Sequence, residues 1–266
     1  MLDSLNIEQQ RAENLQNLEM IGGIDWLCKL IGVNPEVGLS KSNVLALRNR
    51  FGDNTFPESP LDSFLSLLLG ALSDTTLLIL IAAAVVSLVI GFTTDPDHGW
   101  IEGAAILIAV GLVSLLTATN DYSKQLQFRA LENSSAADER CSVLRDGTIE
   151  RINPRDICVG DILVLQAGDM IPADCIILTH VVEIKTNESS LTGEPEDISK
   201  TRDKDCFLLS SCLITEGEEV KALAIGIGTH SQWGKIKANL VTEAVNTPLQ
   251  NKLQDMTTLV SRISVD

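Results

Sequence analysis

The sequence predicts an α + β membrane protein, a transmembrane helical hairpin joined to a β-rich domain built as a distorted jelly roll. Three observations carry this. No charged residue stands between Thr75 and Thr94, and none between Gly103 and Asn120. At about 1.5 Å of rise per residue, each stretch approaches the roughly 30 Å of hydrocarbon in a bilayer. Downstream, short apolar and β-branched segments recur between Gly and Asp turns, the rhythm of a compact antiparallel β domain.

Composition bounds what such a chain does. At 266 residues, 45% of them hydrophobic, it has room for a membrane part and one soluble domain of ordinary size. The balance of 20 basic against 36 acidic side chains gives a formal net charge of −16, which argues against nucleic acid as a partner. Six cysteines, at 28, 141, 158, 175, 206 and 212, include no CxxC pair and no closely spaced Cys/His set. Reduced cytosolic thiols are therefore expected, and a zinc or soft-metal site is not.

Taken in order, residues 1–20 are a polar, acidic tail, unlike the basic-then-apolar pattern of a cleavable signal peptide. Residues 21–60 read as a cytosolic helical segment. Ile24, Leu27, Cys28, Leu30 and Ile31 recur at helical spacing, Gly38-Leu39-Ser40 offers a stop and a new N-cap, and a second helix runs through Val44, Leu45 and Leu47 to Phe51, with Gly52 placed to end it. The hairpin occupies 61–122, with spans at about 75–94 and 101–120. Its link, Asp95-Pro96-Asp97-His98-Gly99, is a turn without Lys or Arg, whereas Lys124 and Arg129 follow the second span. The positive-inside rule places both long flanks, and the lipid bilayer between them and the link, accordingly: N-terminus and β domain in the cytosol. Asp74 and Glu102, near span ends, are expected to reach the headgroups and to ligate no ion.

Residues 123–246 form the β domain, reached through an amphipathic continuation of the second span from Asn120 to Glu132. Cys141 to Ile152 alternates around Asp146-Gly147, a signal for a hairpin with a primed turn. Further strands are expected at Ile157 to Leu165, turned at Gly160-Asp161, and at Cys175 to Thr179, Phe207 to Ile214 and Val220 to Ile227. A late helix covers Ser231 to Lys237. Gly168-Asp169 and Pro172-Ala173-Asp174 are turn punctuation with a structural role.

Within this domain the stretch Lys-Thr-Asn-Glu-Ser-Ser-Leu-Thr-Gly-Glu-Pro-Glu-Asp, residues 185–197, organises the functional reading. Gly193 permits backbone angles denied to other residues, and Pro195 fixes its own φ and steers Glu194 from the helical region. Together they present the Glu194 carboxylate on a stiff tip, the geometry of a general base.

The Thr192-Gly193-Glu194 loop, with Val159-Gly160-Asp161 and Gly168-Asp169-Met170-Ile171-Pro172-Ala173-Asp174, resembles the actuator domain of P-type ATPases. Residues 38–54 resemble the cytosolic N-terminal segment of type II pumps. Gly99 to Ile106, Asn120 to Lys124 and Gln127-Phe128-Arg129 are similar to the second span and stalk of the plasma-membrane and vacuolar type IIB calcium pumps. The resemblance covers about residues 21–260. It implies an ATP-driven calcium transporter, a translocase, in which Glu194 positions the water that hydrolyses an aspartyl phosphate on another domain, while Thr192 and Gly193 shape the docking loop. The phosphorylation domain of the same pump or of an intact pump is then a partner, and calcium is the transported ion. ATP and magnesium are cofactors implied for a full-length parent, none being bound by this chain. The membrane is the plasma membrane or a vacuolar or other endomembrane.

Departures from the family pattern are Asn187 where Asp is common, Pro195 where Ser is usual, and Ser211 where Gly is frequent. No Asp-Lys-Thr-Gly phosphorylation motif and no nucleotide-binding domain are found, so activity from this chain alone is not expected. Residues 247–266 resemble a linker toward a third membrane helix that is not present. Two alternatives are a catalytically inactive, membrane-anchored regulator of an intact pump, and a P-type pump for another cation.

Overall fold

The computed structural model describes residues 5, 11–56, 60–95, 97–180 and 182–240. The expected linker at 247–266 and most of the first ten residues lie outside these. The chain forms two compact units, one from residues up to 58 together with those from 139 onward, the other from 59–138.

The second unit is helical: α4 (Phe64–Leu72), α5 (Thr75–Thr94) and α6 (Trp100–Asp138). Asp74 starts α5 by accepting hydrogen bonds from the N–H groups of Thr76 (2.8 Å) and Leu77 (3.4 Å), groups that a first turn otherwise leaves unpaired. The α5–α6 contact is made by small residues. A Cβ on Gly103 would stand 2.5 Å from Leu88 and 2.8 Å from the Ala84 carbonyl, so only glycine lets the backbones approach this closely. Gly103, Val110, Ser114 and Ala118 bury one stripe of α6. Most other apolar side chains of the pair, among them Leu78, Val86, Ile90, Ile108 and Leu116, are exposed. Both helices are long and apolar enough to cross a membrane, and an outward apolar surface of this extent suits lipid.

The amphipathic continuation expected from Asn120 to Glu132 is helical and runs on unbroken from the second span to Asp138. With 39 residues, α6 is about 58 Å long by its rise per residue, close to twice a hydrocarbon core. Residues 123–138, expected with the β domain, are its final turns. No Gly or Pro interrupts the polar sequence after Asn120, so nothing breaks the helix where the apolar sequence stops. Helix α4 was not anticipated. Its Phe64 ring packs edge-on against Tyr122 (6.1 Å), and Asp62 and Gln125 exchange two hydrogen bonds (3.0 and 3.2 Å).

The first unit is a β domain with helices packed on it. Strands β1 (Cys141–Arg145), β2 (Thr148–Ile152), β3 (Ile162–Leu165), β4 (Asp174–Ile177), β7 (Phe207–Leu208) and β9 (Val220–Gly226) make a six-stranded sheet in the order β2-β1-β3-β9-β4-β7. Strands β5 (Ile184–Asn187), β6 (Asp197–Lys200) and β8 (Leu213–Glu216) make a second sheet, β6-β5-β8. Every pairing is antiparallel. The β1–β2 turn has Asp146 at φ 46° and Gly147 at φ 75°, as a primed turn requires.

Helices α1 (Arg11–Ile21), α2 (Gly23–Ile31) and α3 (Lys41–Phe51) precede the sheets. Ile24, Leu27 and Cys28 are buried as their spacing predicts, whereas Leu30 and Leu45 face solvent. Ser40 occupies the N-cap of α3 without a side-chain cap bond, and Gly52 closes the helix at φ 84°. The segment is locked to the β domain. Gly160, at φ 98°, leaves room for Ile31 and Val33, which a Cβ would meet at 2.8 and 3.1 Å. Buried Asn54 donates to the carbonyls of Pro154 (2.9 Å) and Pro172 (3.0 Å) and accepts from the Gly228 N–H (2.8 Å).

Two strand expectations change. Ile157 to Val159 are buried but not strand, because the Cys158 N–H turns back to the Asp161 carboxylate (2.8 Å). Phe207 to Ile214 is not one strand: Ser211 takes φ 67° and splits it into β7 and β8, one in each sheet. Helix α8 (Gln232–Leu240) follows at the expected place.

Candidate functional site

The smaller sheet carries the loop. Strands β5 and β6 pair from Ile184↔Lys200 to Asn187↔Asp197, so residues 188–196 are the connection of a hairpin. Its first half is a single helical turn, α7 (Ser189–Thr192). The carbonyl of Glu188 accepts from the N–H groups of Leu191 and Thr192 (both 3.0 Å) and from the Thr192 hydroxyl (3.1 Å). Gly193 then ends the turn in the left-handed region, φ 75°, ψ −2°, its N–H bonded to the Ser189 carbonyl (3.0 Å). A Cβ here would meet nothing within 4 Å, so backbone conformation and not crowding calls for glycine.

Thr192 and Glu194 are coupled directly. The Glu194 N–H donates to the Thr192 hydroxyl oxygen at 3.1 Å, which is the same oxygen whose proton goes to Glu188. Glu194 is exposed. Its carboxylate has no hydrogen-bond or ion-pair partner among the described residues. The three residues singled out from sequence, Thr192, Gly193 and Glu194, thus occupy one turn, with the carboxylate outward.

Asn187 braces the base of the loop. Its amide nitrogen donates to the Asp197 carboxylate (2.9 Å) and to the Pro195 carbonyl (3.3 Å), while its oxygen accepts from the backbone N–H (3.2 Å) and the hydroxyl of Ser189. Thr215 on β8 donates to the other oxygen of Asp197 (2.8 Å). Bonds from Asn187 and Thr215 hold the Asp197 carboxyl below its ordinary value. An amide in place of the family's common Asp is therefore matched to its surroundings: the position faces an acceptor on both sides and needs a donor. Ser211, where Gly is frequent, has the positive φ a glycine adopts freely, and its carbonyl accepts from the Ser190 hydroxyl (2.9 Å), tying α7 to the β7–β8 turn.

Under the loop lies a group that sequence reasoning missed. Lys200, 1% exposed, places its ammonium 2.8 Å from Glu188 Oε1 and 2.8 Å from Asp205 Oδ2. Glu188 is itself fully buried, with the Thr186 hydroxyl 3.4 Å from the same oxygen. The sequence Asp-Ile-Ser-Lys offers no sign of this, since a lysine at a strand end ordinarily faces water. Two further buried carboxylates support the frame. Asp161 takes a two-pronged ion pair from Arg145 (2.7 and 2.6 Å). Asp174 accepts from the N–H groups of Ser210 and Gln232 (both 2.8 Å), and burial lifts its carboxyl to about 6.

The site is thus an exposed carboxylate on a braced hairpin, in a β domain that follows two helices long and apolar enough to cross a membrane. The family model for the P-type ATPase actuator domain matches residues 135–241, and that for the cation transporter/ATPase N-terminus matches residues 21–87. The chain belongs to the P-type cation-transporting ATPases, as their N-terminal and actuator portion.

Among its relatives are calcium-transporting ATPase 5, plasma membrane-type, of Oryza sativa subsp. japonica, 36% identical over 96% of this chain and 23% of the relative. Calcium-transporting ATPase 10, plasma membrane-type, of Arabidopsis thaliana is 36% identical over 96% of this chain and 24% of its own length. Plasma membrane calcium-transporting ATPase 4 of Bos taurus is 39% identical over 81% of this chain and 20% of its own. The chain spans about a quarter of the length of the plant relatives it matches.

Proposed function

We propose that this chain is the N-terminal portion of an ATP-driven calcium pump, in which Glu194 directs hydrolysis of an aspartyl phosphate carried by a separate phosphorylation domain. The observation that supports this reading is the Glu194 carboxylate itself, exposed and unpartnered among the described residues on a loop whose backbone is fixed by Thr192, Gly193 and Glu188. In the proposed step a water oxygen attacks phosphorus, the bond from phosphorus to the aspartate oxygen breaks, and Glu194 accepts the water proton. Inorganic phosphate and free aspartate result. Thr192 and Gly193 set where the carboxylate stands and touch no reacting atom in this scheme.

Calcium rests on the relatives, whose names call them calcium-transporting. Magnesium and ATP belong in this reading to the domain bearing the aspartate. Among the described residues no group of three His, Cys, Asp or Glu side chains is placed to hold a metal ion, and no step assigned here runs through one. The lipid-suited helices α5 and α6 embed the chain in the plasma membrane or an endomembrane, with N-terminus and actuator on the cytosolic side. Movement of the actuator pulls on the segments 53–74 and 121–135, and so couples the phosphate chemistry to the ion path.

The test is Glu194→Gln in a full-length pump carrying this segment. Phosphoenzyme should form from ATP at the normal rate and decay roughly 100-fold more slowly or worse, the usual worth of a positioned general base. Decay at the parental rate would remove Glu194 from the reaction.

A further inference from the structure

We infer that the buried Glu188–Lys200 pair is the positioning device for Glu194, reaching the fingertip through the backbone of Glu188 and the hydroxyl of Thr192. The inference rests on the role proposed for Glu194.

Each link is a contact in the structure. Lys200 Nζ lies 2.8 Å from Glu188 Oε1, and a second carboxylate, Asp205, holds the ammonium from the other side at 2.8 Å. Glu188 is the residue from which α7 starts, and its carbonyl accepts the Thr192 hydroxyl proton at 3.1 Å. That hydroxyl oxygen accepts the Glu194 N–H at 3.1 Å. A charge fixed in the interior of the β domain is therefore two hydrogen bonds from the catalytic residue's own backbone.

Burial gives the device its stiffness. The loop tip is exposed, and a solvated ion pair would hold it weakly. Lys200 and Glu188 are both sealed from water, where attraction is strong and the loss of one partner leaves an uncompensated charge. Glu188 cannot swing out without giving up its ammonium partner and leaving Lys200 with Asp205 alone, so its carbonyl is confined and the turn wound on it is confined too. In the strand pairing Lys200 stands opposite Ile184, at the end remote from the loop, so its contact with Glu188, which follows Asn187, spans the length of the hairpin and ties the loop to the far end of its own strands.

A group that only stabilises the fold would lower pump abundance and every partial reaction alike. A positioning pair slows the one step that uses Glu194. In a full-length pump carrying this segment, Glu188→Gln, which keeps shape and hydrogen bonding and loses only the charge, should form phosphoenzyme normally. Its decay should slow by roughly tenfold or more, since misplacing a catalytic group by about 1 Å costs on the order of 100-fold. Lys200→Met should do the same or worse. In a Glu194→Gln background neither substitution should slow decay further, because the group being positioned is gone.

Parental decay in Glu188→Gln and Lys200→Met, or additional slowing on top of Glu194→Gln, overturns the inference. Failure of both variants to form any phosphoenzyme also overturns it, by making the pair a folding element. If Glu194→Gln itself decays normally, the proposed function has failed first, which separates the two outcomes.

Discussion

Asn187 shows how one atom's identity sets the chemistry of the loop. Its amide nitrogen lies between the Asp197 carboxylate and the Pro195 carbonyl, both acceptors. Replacing Asn187 by Asp restores the residue common in the family and removes the donor, setting two carboxylates against each other. On the role proposed for Glu194, phosphoenzyme decay in Asn187→Asp should fall between that of the parent and Glu194→Gln, because the base of the hairpin loosens while the Glu194 carboxylate survives. Adding Asp197→Asn supplies a donor from the opposite strand and should recover much of the loss. Unchanged decay in the single variant would show that the brace carries no load in turnover. The departure from the family pattern is visible in the sequence, but its compensation is not, because Asp197 and Thr215 become neighbours of Asn187 only through the β6-β5-β8 sheet.

At the level of elements, β1 and the entry to β3 are joined by the Arg145–Asp161 pair. Asp161 is fully buried, receives both prongs of the guanidinium and also accepts the Cys158 N–H (2.8 Å). Removing the cation strands that carboxylate, so Arg145→Met should destabilise the β domain by about 3–5 kcal/mol. In a thermal melt of the detergent-solubilised protein this is a fall of roughly 2–4 °C per kcal/mol for a unit of this size. A shift near zero would mean that Asp161 had found another partner or had taken up a proton.

The elements differ in how well their residues announce them. The α5 span needed only the absence of charge, and the β1–β2 hairpin needed only Asp146-Gly147. Strands β5 and β6 escaped notice because Lys-Thr-Asn and Asp-Ile-Ser-Lys are polar: burial alternates along both, but buried positions are filled by Thr186 and Lys200, where no hydrophobic pattern announces them. Lys200 is the extreme case, a charge made interior by two partners distant in pattern though near in sequence. The split at Ser211 was hidden for a related reason: nothing about a serine announces a positive φ, and its departure from a Gly in the resembled pattern was the available hint.

For the molecule as a whole, the excess of acidic side chains makes its stability a question of pH, and Asp174 runs against the usual direction. The net charge of −16 means that most acidic groups repel one another at neutral pH. Asp174 adds a specific contribution. Burial outweighs the N–H donors of Ser210 and Gln232 and raises its carboxyl from 3.8 to about 6. Between those values the folded protein holds a proton that the unfolded chain has released, so folding is favoured as pH falls through 6 and loses this contribution as pH rises. The full span is worth about 3 kcal/mol, at roughly 1.4 kcal/mol per pH unit. Asp174→Asn loses one of the two acceptors and so costs a pH-independent amount, but it abolishes the titration and so separates this contribution from the relief of general repulsion, which both proteins share. Melting temperatures of the parent and of Asp174→Asn should therefore diverge with pH, the parent gaining on the variant from pH 7 down to pH 4.5. A pH-independent difference would show instead that the two backbone donors and the N-terminus of α8 keep Asp174 ionised throughout, and that the interior of the actuator tolerates a charge there without protonation.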